Sequence, residues 1–166
     1  MKHVTIDFET HRQEVEKMKE RLLVMACSGS KSRTFKSKVP ARNLYIGSGW
    51  RVLNRWANTH PVQSTNLPVM VVSAEHGFID SQTLIAPYDR KMTSERVVEL
   101  IAQSDGSKQE LEGLLQTDPE VFMYGSAAYA DYFEQLMPSN YVWTASCDGS
   151  RGIGDQLHAL KKWLGQ

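Results

Sequence analysis

The sequence has few cysteines, no long apolar run and no net charge. Cys27 and Cys147 are its two cysteines, too few for the disulfide framework of a small secreted protein. No apolar run approaches the roughly 18 residues that a membrane-spanning helix needs. The charged amino terminus also lacks the apolar stretch of a signal peptide. We therefore expect a reduced, cytoplasmic protein that does not enter a membrane.

Acidic residues are absent from segment 22–74. This segment carries seven basic residues, whereas residues 75–166 carry fourteen acidic and seven basic ones. A local surplus of positive charge attracts polyanions even when the whole chain is neutral. Interleaved aromatic side chains favour binding of phosphates and unstacked bases; the alternative is a solvated basic face over buried aromatics. The cations are Lys31, Arg33, Lys36, Lys38, Arg42, Arg51 and Arg55, and the aromatics are Phe35, Tyr45, Trp50 and Trp56.

The common cofactor motifs are missing as well. Residues 27–31 resemble a shortened phosphate loop without its Gly-x-x-x-x-Gly-Lys-Ser/Thr pattern. The glycine pairs in 47–49 and 152–154 lack the third glycine of a dinucleotide site. The five histidines are scattered, with no Cys-x-x-Cys or His-x-x-x-His pair. We expect neither a cofactor nor a bound metal.

Four short apolar runs alternate with helical patterns. Such runs are typical of parallel strands buried on both faces. The alternation predicts a single α/β domain, a three-layer sandwich around a mostly parallel sheet of about four strands. A capping box at Thr10 and Gln13 predicts one further helix, so we divide the chain into a helical extension, 1–21, and an α/β domain, 22–166. The predicted strands are Leu22–Ala26, Pro68–Ala74, Val121–Tyr124 and Tyr141–Ala145, and the predicted helices include one from Ser48, one from Thr93 or Ser94, Ala127–Met137 and Ile153–Leu164.

Small and polar residues follow all four predicted strands. In an open α/β sheet, ligands bind beyond the carboxyl ends of the strands. Glycines there let the backbone approach a ligand, and helix amino termini supply N–H groups for an anion. A Cys27 nucleophile with His76 as its base is one possibility, and a buried structural cysteine is the other. We predict that the residues of the pocket converge at one end of the sheet; they are Ser28, Lys31, Ser73, His76, Asp89 and Gly154.

Six segments taken in order resemble a little-characterised bacterial and phage domain family. That family reads Cys-Ser-x-x-Lys, Ser-Ala-x-Tyr/His-Gly and Pro-Tyr-Asp, and the resemblance covers most of residues 22–164. It is distantly similar to the core domain of archaeosine synthase, to the bacterial peroxide-stress family and to uracil-DNA-glycosylase-like sandwiches. The resemblance implies an α/β fold and the handling of a nucleobase. The segments are ACSGSK at 26–31, LYIGSGWR at 44–51, VVSAEHGFID at 71–80, APYDRKM at 86–92, YGSAAY at 124–129 and RGIGDQLHAL at 151–160.

The handling of a nucleobase, which the resemblance implies, suggests a role for each candidate residue. Asp89, or Asp80 as second choice, would stabilise positive charge on a sugar as its base departs. His76 would contact the leaving base. The candidates for holding the substrate are Cys27, Ser28, Ser30, Lys31, Tyr45, Ser73, Tyr88, Gly125 and Gly154, and those for contacting a nucleic-acid backbone are Arg33, Lys36, Lys38, Arg42, Arg51 and Arg55.

Three hypotheses of function remain open. The first is a hydrolase of the N-glycosidic bond, an N-glycosylase or base-exchange enzyme acting on a modified nucleobase in DNA or RNA. The second is a non-catalytic nucleic-acid or nucleotide-binding module. The third is a nucleoside hydrolase or deoxyribosyltransferase acting on small molecules. The expected partner is DNA or RNA containing a modified base, with no membrane partner, and the sequence leaves the oligomeric state open.

Overall fold

A mixed five-stranded sheet forms the centre of the computed structural model, which describes residues 20–166. Its strands are β1 (Arg21–Ala26), β3 (Val69–Ser73), β4 (Gly77–Asp80), β6 (Glu120–Tyr124) and β7 (Thr144–Ala145), in the order β4-β3-β1-β6-β7. Four of them are parallel, and β4 runs antiparallel to β3 at one edge. Strands β2 (Val39–Pro40) and β5 (Leu84–Ile85) form a separate antiparallel pair.

Seven α-helices connect these strands within residues 20–166. Most begin close to the predicted positions, and the last spans the predicted residues. The predicted extension over 1–21 lies outside the described residues except for Glu20 and Arg21, and Arg21 already belongs to β1. The helices are α1 (Ala41–Leu44), α2 (Ser48–Thr59), α3 (Pro61–Thr65), α4 (Ser94–Ala102), α5 (Asp105–Leu114), α6 (Ala127–Leu136) and α7 (Ile153–Leu164), with a 3-10 turn at Leu115–Thr117.

Strand β1 lies at the middle of the sheet and is buried on both sides. Leu23 pairs with Val69 of β3 and with Phe122 of β6. Successive side chains of a strand point to opposite faces, so Leu23 and its neighbour Leu22 belong to two different core clusters. The first cluster contains residues of α2 and α7, and the second contains residues of α4, α5 and α6. Both faces of the sheet are therefore covered.

The fourth predicted strand is shorter than its sequence suggests. Only Thr144 and Ala145 pair with β6. Tyr141 instead bonds the Pro138 carbonyl through its N–H, and its hydroxyl donates to the Pro119 carbonyl at 2.6 Å. These bonds hold 138–141 as a turn, and the next residue, Val142, is 90% exposed.

Candidate functional site

The carboxyl ends of the parallel strands meet at one edge of the sheet. Cys27, directly after β1, donates its N–H to Val72 of β3 at 2.8 Å. The N–H of Gly125, directly after β6, donates to the Ser146 hydroxyl at 3.0 Å. Because parallel strands end on the same side, the loops after β1, β3, β6 and β7 share this edge. Three hollows open there.

The first hollow, the helix-end pocket, is a cavity of about 250 Å³ beside Cys27. Helices α2, α6 and α7 begin around it, and their cap residues, Gly47, Ser126 and Gly152, make no side-chain capping bond. Free N–H groups at a helix start carry partial positive charge. This pocket suits a small anion. Its lining consists of Ala26, Cys27, Ser28, Gly47, Ser48, Gly49, Trp50, Tyr124, Gly125, Ser126, Tyr129, Ile153 and Gln156.

Close packing of α2 against β6 forms the floor of the helix-end pocket. A Cβ on Gly49 would lie 2.1 Å from Cε1 of Tyr124, and one on Gly125 would lie 2.7 Å from Cβ of Ala26. Both distances are far inside van der Waals contact, so these two positions require glycine. Gly154, by contrast, has no neighbour within 4 Å of such a Cβ; it is exposed in the first turn of α7, beside this pocket.

The second hollow, the aspartate hollow, has a volume of about 640 Å³ and combines both signs of charge. Lys31, Arg33 and the exposed Asp89 line it. It is large enough for a nucleoside and open to solvent on one side. The other lining residues are Gly29, Ser30, Ser32, Phe35, Ile46, Pro87 and Tyr88.

The third hollow, the histidine hollow, has a volume of about 430 Å³ and shares Pro87 and Tyr88 with the aspartate hollow. Lys38, Glu75 and His76 supply its charged and titratable groups. Tyr88 thus separates the hollow that contains Asp89 from the one that contains His76. The remaining lining residues are Ile79, Thr83, Leu84, Ile85 and Ala86.

Hydrogen bonds to two other hydroxyl groups hold Tyr88 in place. Its oxygen lies 2.7 Å from Oγ of Ser73 and 2.8 Å from the hydroxyl oxygen of Tyr45. Ser73 Oγ already accepts the N–H groups of Glu75 and His76, which use both of its lone pairs. Ser73 therefore donates to Tyr88, whose hydroxyl also shares a hydrogen bond with that of Tyr45. Burial raises the pKa of Tyr45 to about 12 and also raises that of Tyr88, so both phenols stay protonated at neutral pH.

Tyr45 offers no free face for stacking a base, and one face of Tyr88 is already covered. Tyr45 is fully buried. The ammonium of Lys31 stands over the Tyr88 ring, 4.3 Å from its centroid, and the His76 ring meets Tyr88 edge-on at 5.4 Å. Tyr45, one of the candidates for holding the substrate, therefore has no exposed surface with which to contact it. Tyr88 instead holds the Lys31 ammonium by a cation–π contact.

The turn that carries His76 is held by Arg96 of α4. Its guanidinium donates to the carbonyls of Ala74 and Glu75 at 2.7 and 2.8 Å. Burial lowers the pKa of His76; the charge of Glu75 opposes this, and the charges of Arg96 and Lys38 add to it. His76 is thus a neutral imidazole at pH 7.

Arg90 ties the Asp89 segment to the same turn. It forms ion pairs with Glu75 at 3.3 Å and with Glu99 at 3.2 Å. Tyr88 is fixed through its hydroxyl, so both chain neighbours of Asp89 are anchored. Asp89 itself stays exposed, at the rim of the aspartate hollow.

The thiol of Cys27 has a different neighbour from the expected one. It lies 3.3 Å from the Tyr129 hydroxyl, whereas His76 lines the histidine hollow. The structure provides no contact between Cys27 and His76 for a nucleophile and base pair. Cys27 is buried, which fits the structural interpretation of this residue.

Asp80 is not brought to the site. It pairs with Met70 near the amino end of β3, whereas Ser73 at the carboxyl end pairs with Gly77. Its carboxylate accepts the Gln82 N–H at 2.7 Å and closes a turn. The second choice for the catalytic carboxylate is therefore excluded by position.

The expected backbone-binding cations reach solvent, whereas three of their four aromatic neighbours are buried and Phe35 is partly exposed. Arg51 and Arg55 are exposed on α2, and Arg51 donates to the carbonyl of Ile46 at the rim of the aspartate hollow. Trp50 and Trp56 are buried in the core. The basic face thus covers buried tryptophans. Of the remaining cations, Lys36 and Lys38 are exposed and Arg42 is partly exposed in α1.

Sequence reasoning missed three residues of this edge. Tyr129 contacts the thiol, Arg96 holds the turn and Ser126 is the cap residue before α6. Ser126 and Tyr129 occur within the YGSAAY segment, so the start of that helix was the available signal. Nothing in the local sequence points to Arg96, which acts on carbonyls about twenty residues earlier in the chain.

Residues 22–162 match the model of a family of unknown function, DUF6884. No curated protein and no solved structure matches the chain. Over residues 20–166, no helix is both long and apolar enough to cross a membrane. In the same residues, no group of three or more His, Cys, Asp or Glu side chains is arranged to hold a metal ion.

Proposed function

Because the chain belongs to DUF6884, a family of unknown function, we propose its activity from the geometry of the site: it is an N-glycosylase or base-exchange enzyme acting on a modified nucleobase in DNA or RNA. The observation that carries the proposal is the Asp89 carboxylate, which shares the aspartate hollow with Lys31 and Arg33. A carboxylate can stabilise the positive charge that develops on the sugar as the base departs, and the two cations can hold the adjacent phosphate. We also propose that the protein is cytoplasmic and that its architecture is a three-layer sandwich.

In the proposed reaction, the sugar lies on one side of Tyr88 and the base lies on the other. The bond from C1′ to the base nitrogen breaks, its electron pair leaves with the base, and positive charge develops on the sugar. Asp89 in the aspartate hollow stabilises that charge. Water then adds hydroxide to C1′ and its proton goes to the departing base; in base exchange, a second base adds instead.

His76 acts on the base from the other side. Its pKa is lowered, so its neutral imidazole donates an N–H hydrogen bond to the leaving base rather than a full proton. The apolar lining of the histidine hollow, Ile79 and Leu84 among it, provides the low-polarity surface that a planar base prefers. The base therefore occupies the histidine hollow and the sugar occupies the aspartate hollow.

The distribution of cations favours a polymer over a free nucleoside. Arg51 touches the rim of the aspartate hollow through Ile46, and Arg55 follows one turn later on α2. Positive charge thus continues beyond the hollow that one nucleoside would fill, which suits a phosphodiester backbone. The helix-end pocket supports the same assignment because it offers N–H groups to a phosphate.

The second candidate function is a non-catalytic module that senses a modified base. The same cations and hollows support it, because binding needs no carboxylate. Turnover distinguishes the two. Wild-type protein is incubated with several natural and phage DNAs and with RNA, and released bases are identified by mass spectrometry. Release of a base from polymer supports the enzyme. Release from free nucleosides alone supports a small-molecule nucleoside hydrolase or deoxyribosyltransferase, and binding without release supports the module.

A further inference from the structure

Among the residues that line the aspartate hollow, the exposed large aliphatic side chain is Ile46. It is 39% exposed and lines the hollow together with Lys31 and Arg33. On its other side, Arg51 donates to the Ile46 carbonyl at 3.0 Å. An apolar side chain is thus displayed between cations that would contact phosphates.

The backbone of Ile46 is fixed on both sides. Its N–H donates to the Ser30 carbonyl at 3.0 Å, and its carbonyl accepts from Arg51. The preceding residue, Tyr45, is fully buried and pairs with Lys31 in an antiparallel bridge. The following residue, Gly47, caps α2. Ile46 is therefore a rigidly mounted projection rather than a mobile loop side chain.

Binding of single-stranded nucleic acid requires a surface with exposed aromatic rings rather than an aliphatic projection. Proteins that bind single strands stack successive bases on exposed aromatic rings. Of the four aromatic residues in segment 22–74, Tyr45, Trp50 and Trp56 are buried and Phe35 packs partly against the core. The Tyr88 ring already contacts Lys31 and His76. Phe35 lines the aspartate hollow but is only partly exposed, so this surface has no fully exposed ring of the kind on which single-strand binders stack bases.

The exposed aliphatic side chain of this surface fits a duplex substrate. A base in a duplex reaches an enzyme pocket only after it is extruded from the stack. Aliphatic side chains such as Ile and Leu are inserted between base steps by proteins that deform duplexes. Building on the proposed function, we infer that the substrate is a duplex and that Ile46 inserts into the stack where the target nucleotide leaves it for the hollows beside Tyr88.

The test uses a duplex oligonucleotide with one mismatch and a neighbouring 2-aminopurine, whose fluorescence rises on unstacking. At low salt, wild-type protein should bind the duplex and raise the fluorescence several-fold. Ile46→Ala should lose most of this rise, and Ile46→Leu should keep it. Val98→Ala is the matched control, because Val98 is an aliphatic residue 70% exposed on α4 in the acidic part of the chain. Its fluorescence rise should equal that of wild type.

Three outcomes would overturn the inference. If the duplex binds without a fluorescence rise, or if Ile46→Ala unstacks it as well as wild type, Ile46 is not the inserted residue and the proposed function stands. If only the single strand of the same sequence binds, the substrate is not a duplex, and again the proposed function stands. If neither binds at low salt, the polymer substrate itself is wrong, and the inference fails with the proposed function.

Discussion

Replacing Tyr88 with phenylalanine removes one hydroxyl and keeps the ring beside Lys31. The lost oxygen makes bonds of 2.7 Å to Ser73 and 2.8 Å to Tyr45, and each such bond contributes about 0.5–1.5 kcal/mol net. Both partners are fully buried, so their unpaired hydroxyls add a desolvation cost. We expect Tyr88→Phe to lower the free energy of unfolding by about 2–4 kcal/mol. That corresponds to a drop of roughly 5–15 °C in Tm for a chain of this size.

The assay is urea unfolding followed by tryptophan fluorescence. Tyr141→Phe is the matched control, because its hydroxyl donates to the Pro119 carbonyl at 2.6 Å away from the site. This control should cost about 0.5–1.5 kcal/mol, with the denaturant slope unchanged in both variants. If Tyr88→Phe lowers the free energy of unfolding no more than Tyr141→Phe does, the hydroxyl bonds to Ser73 and Tyr45 do not hold Tyr88 in place between the hollows.

The remaining predictions concern charge. Arg55→Glu should weaken binding to every nucleic-acid sequence alike and reduce the slope of log affinity against log salt by about 0.7–0.9 if Arg55 contacts one phosphate; filter binding at several salt concentrations measures it, and an unchanged slope would remove Arg55 from the interface. The midpoint of the His76 titration by NMR should lie below about 6.5, because burial lowers its pKa. The unfolded chain then binds more protons at this residue than the folded one, so its contribution to stability falls as pH drops below about 6.5. A midpoint above 6.5 would mean that Glu75 outweighs burial. Replacing His76 with glutamine should remove this part of the pH dependence from urea midpoints.

The sequence predicted the centre of the sheet better than its edges. Strands β1, β3 and β6 are continuous apolar runs, and their buried positions follow from that pattern. The apolar pattern of 141–145 is equally strong, but tertiary bonds from Tyr141 turn the chain away from the sheet. The edge strand β4 was not predicted as a strand, because it has four residues and only Gly77 and Phe78 are buried.

The site was predictable only where it follows from the order of the strands. Ser73 and Cys27 reach the carboxyl edge because their strands are parallel. The position of Tyr88 between the two hollows depends on contacts with residues distant in sequence. Tyr88 contacts Ser73, 15 positions away, and Tyr45, 43 positions away. No local pattern encodes such partners. For the same reason, the sequence did not show that Tyr45, a candidate for holding the substrate, is buried in the fold.

The central claim is that Asp89 stabilises a sugar cation during release of a base. The most direct measurement is the rate of base release from the polymer that yields a product, for wild type, Asp89→Asn and Asp80→Asn side by side. Asp80→Asn is the matched control, since Asp80 closes a turn that asparagine can also close. Because Asp89 is exposed, Asp89→Asn should keep its Tm and its affinity while turnover falls by roughly 10²–10⁴-fold; Asp80→Asn should turn over like wild type. Equal turnover in all three proteins, or no base released by wild type from any DNA or RNA, would contradict the claim.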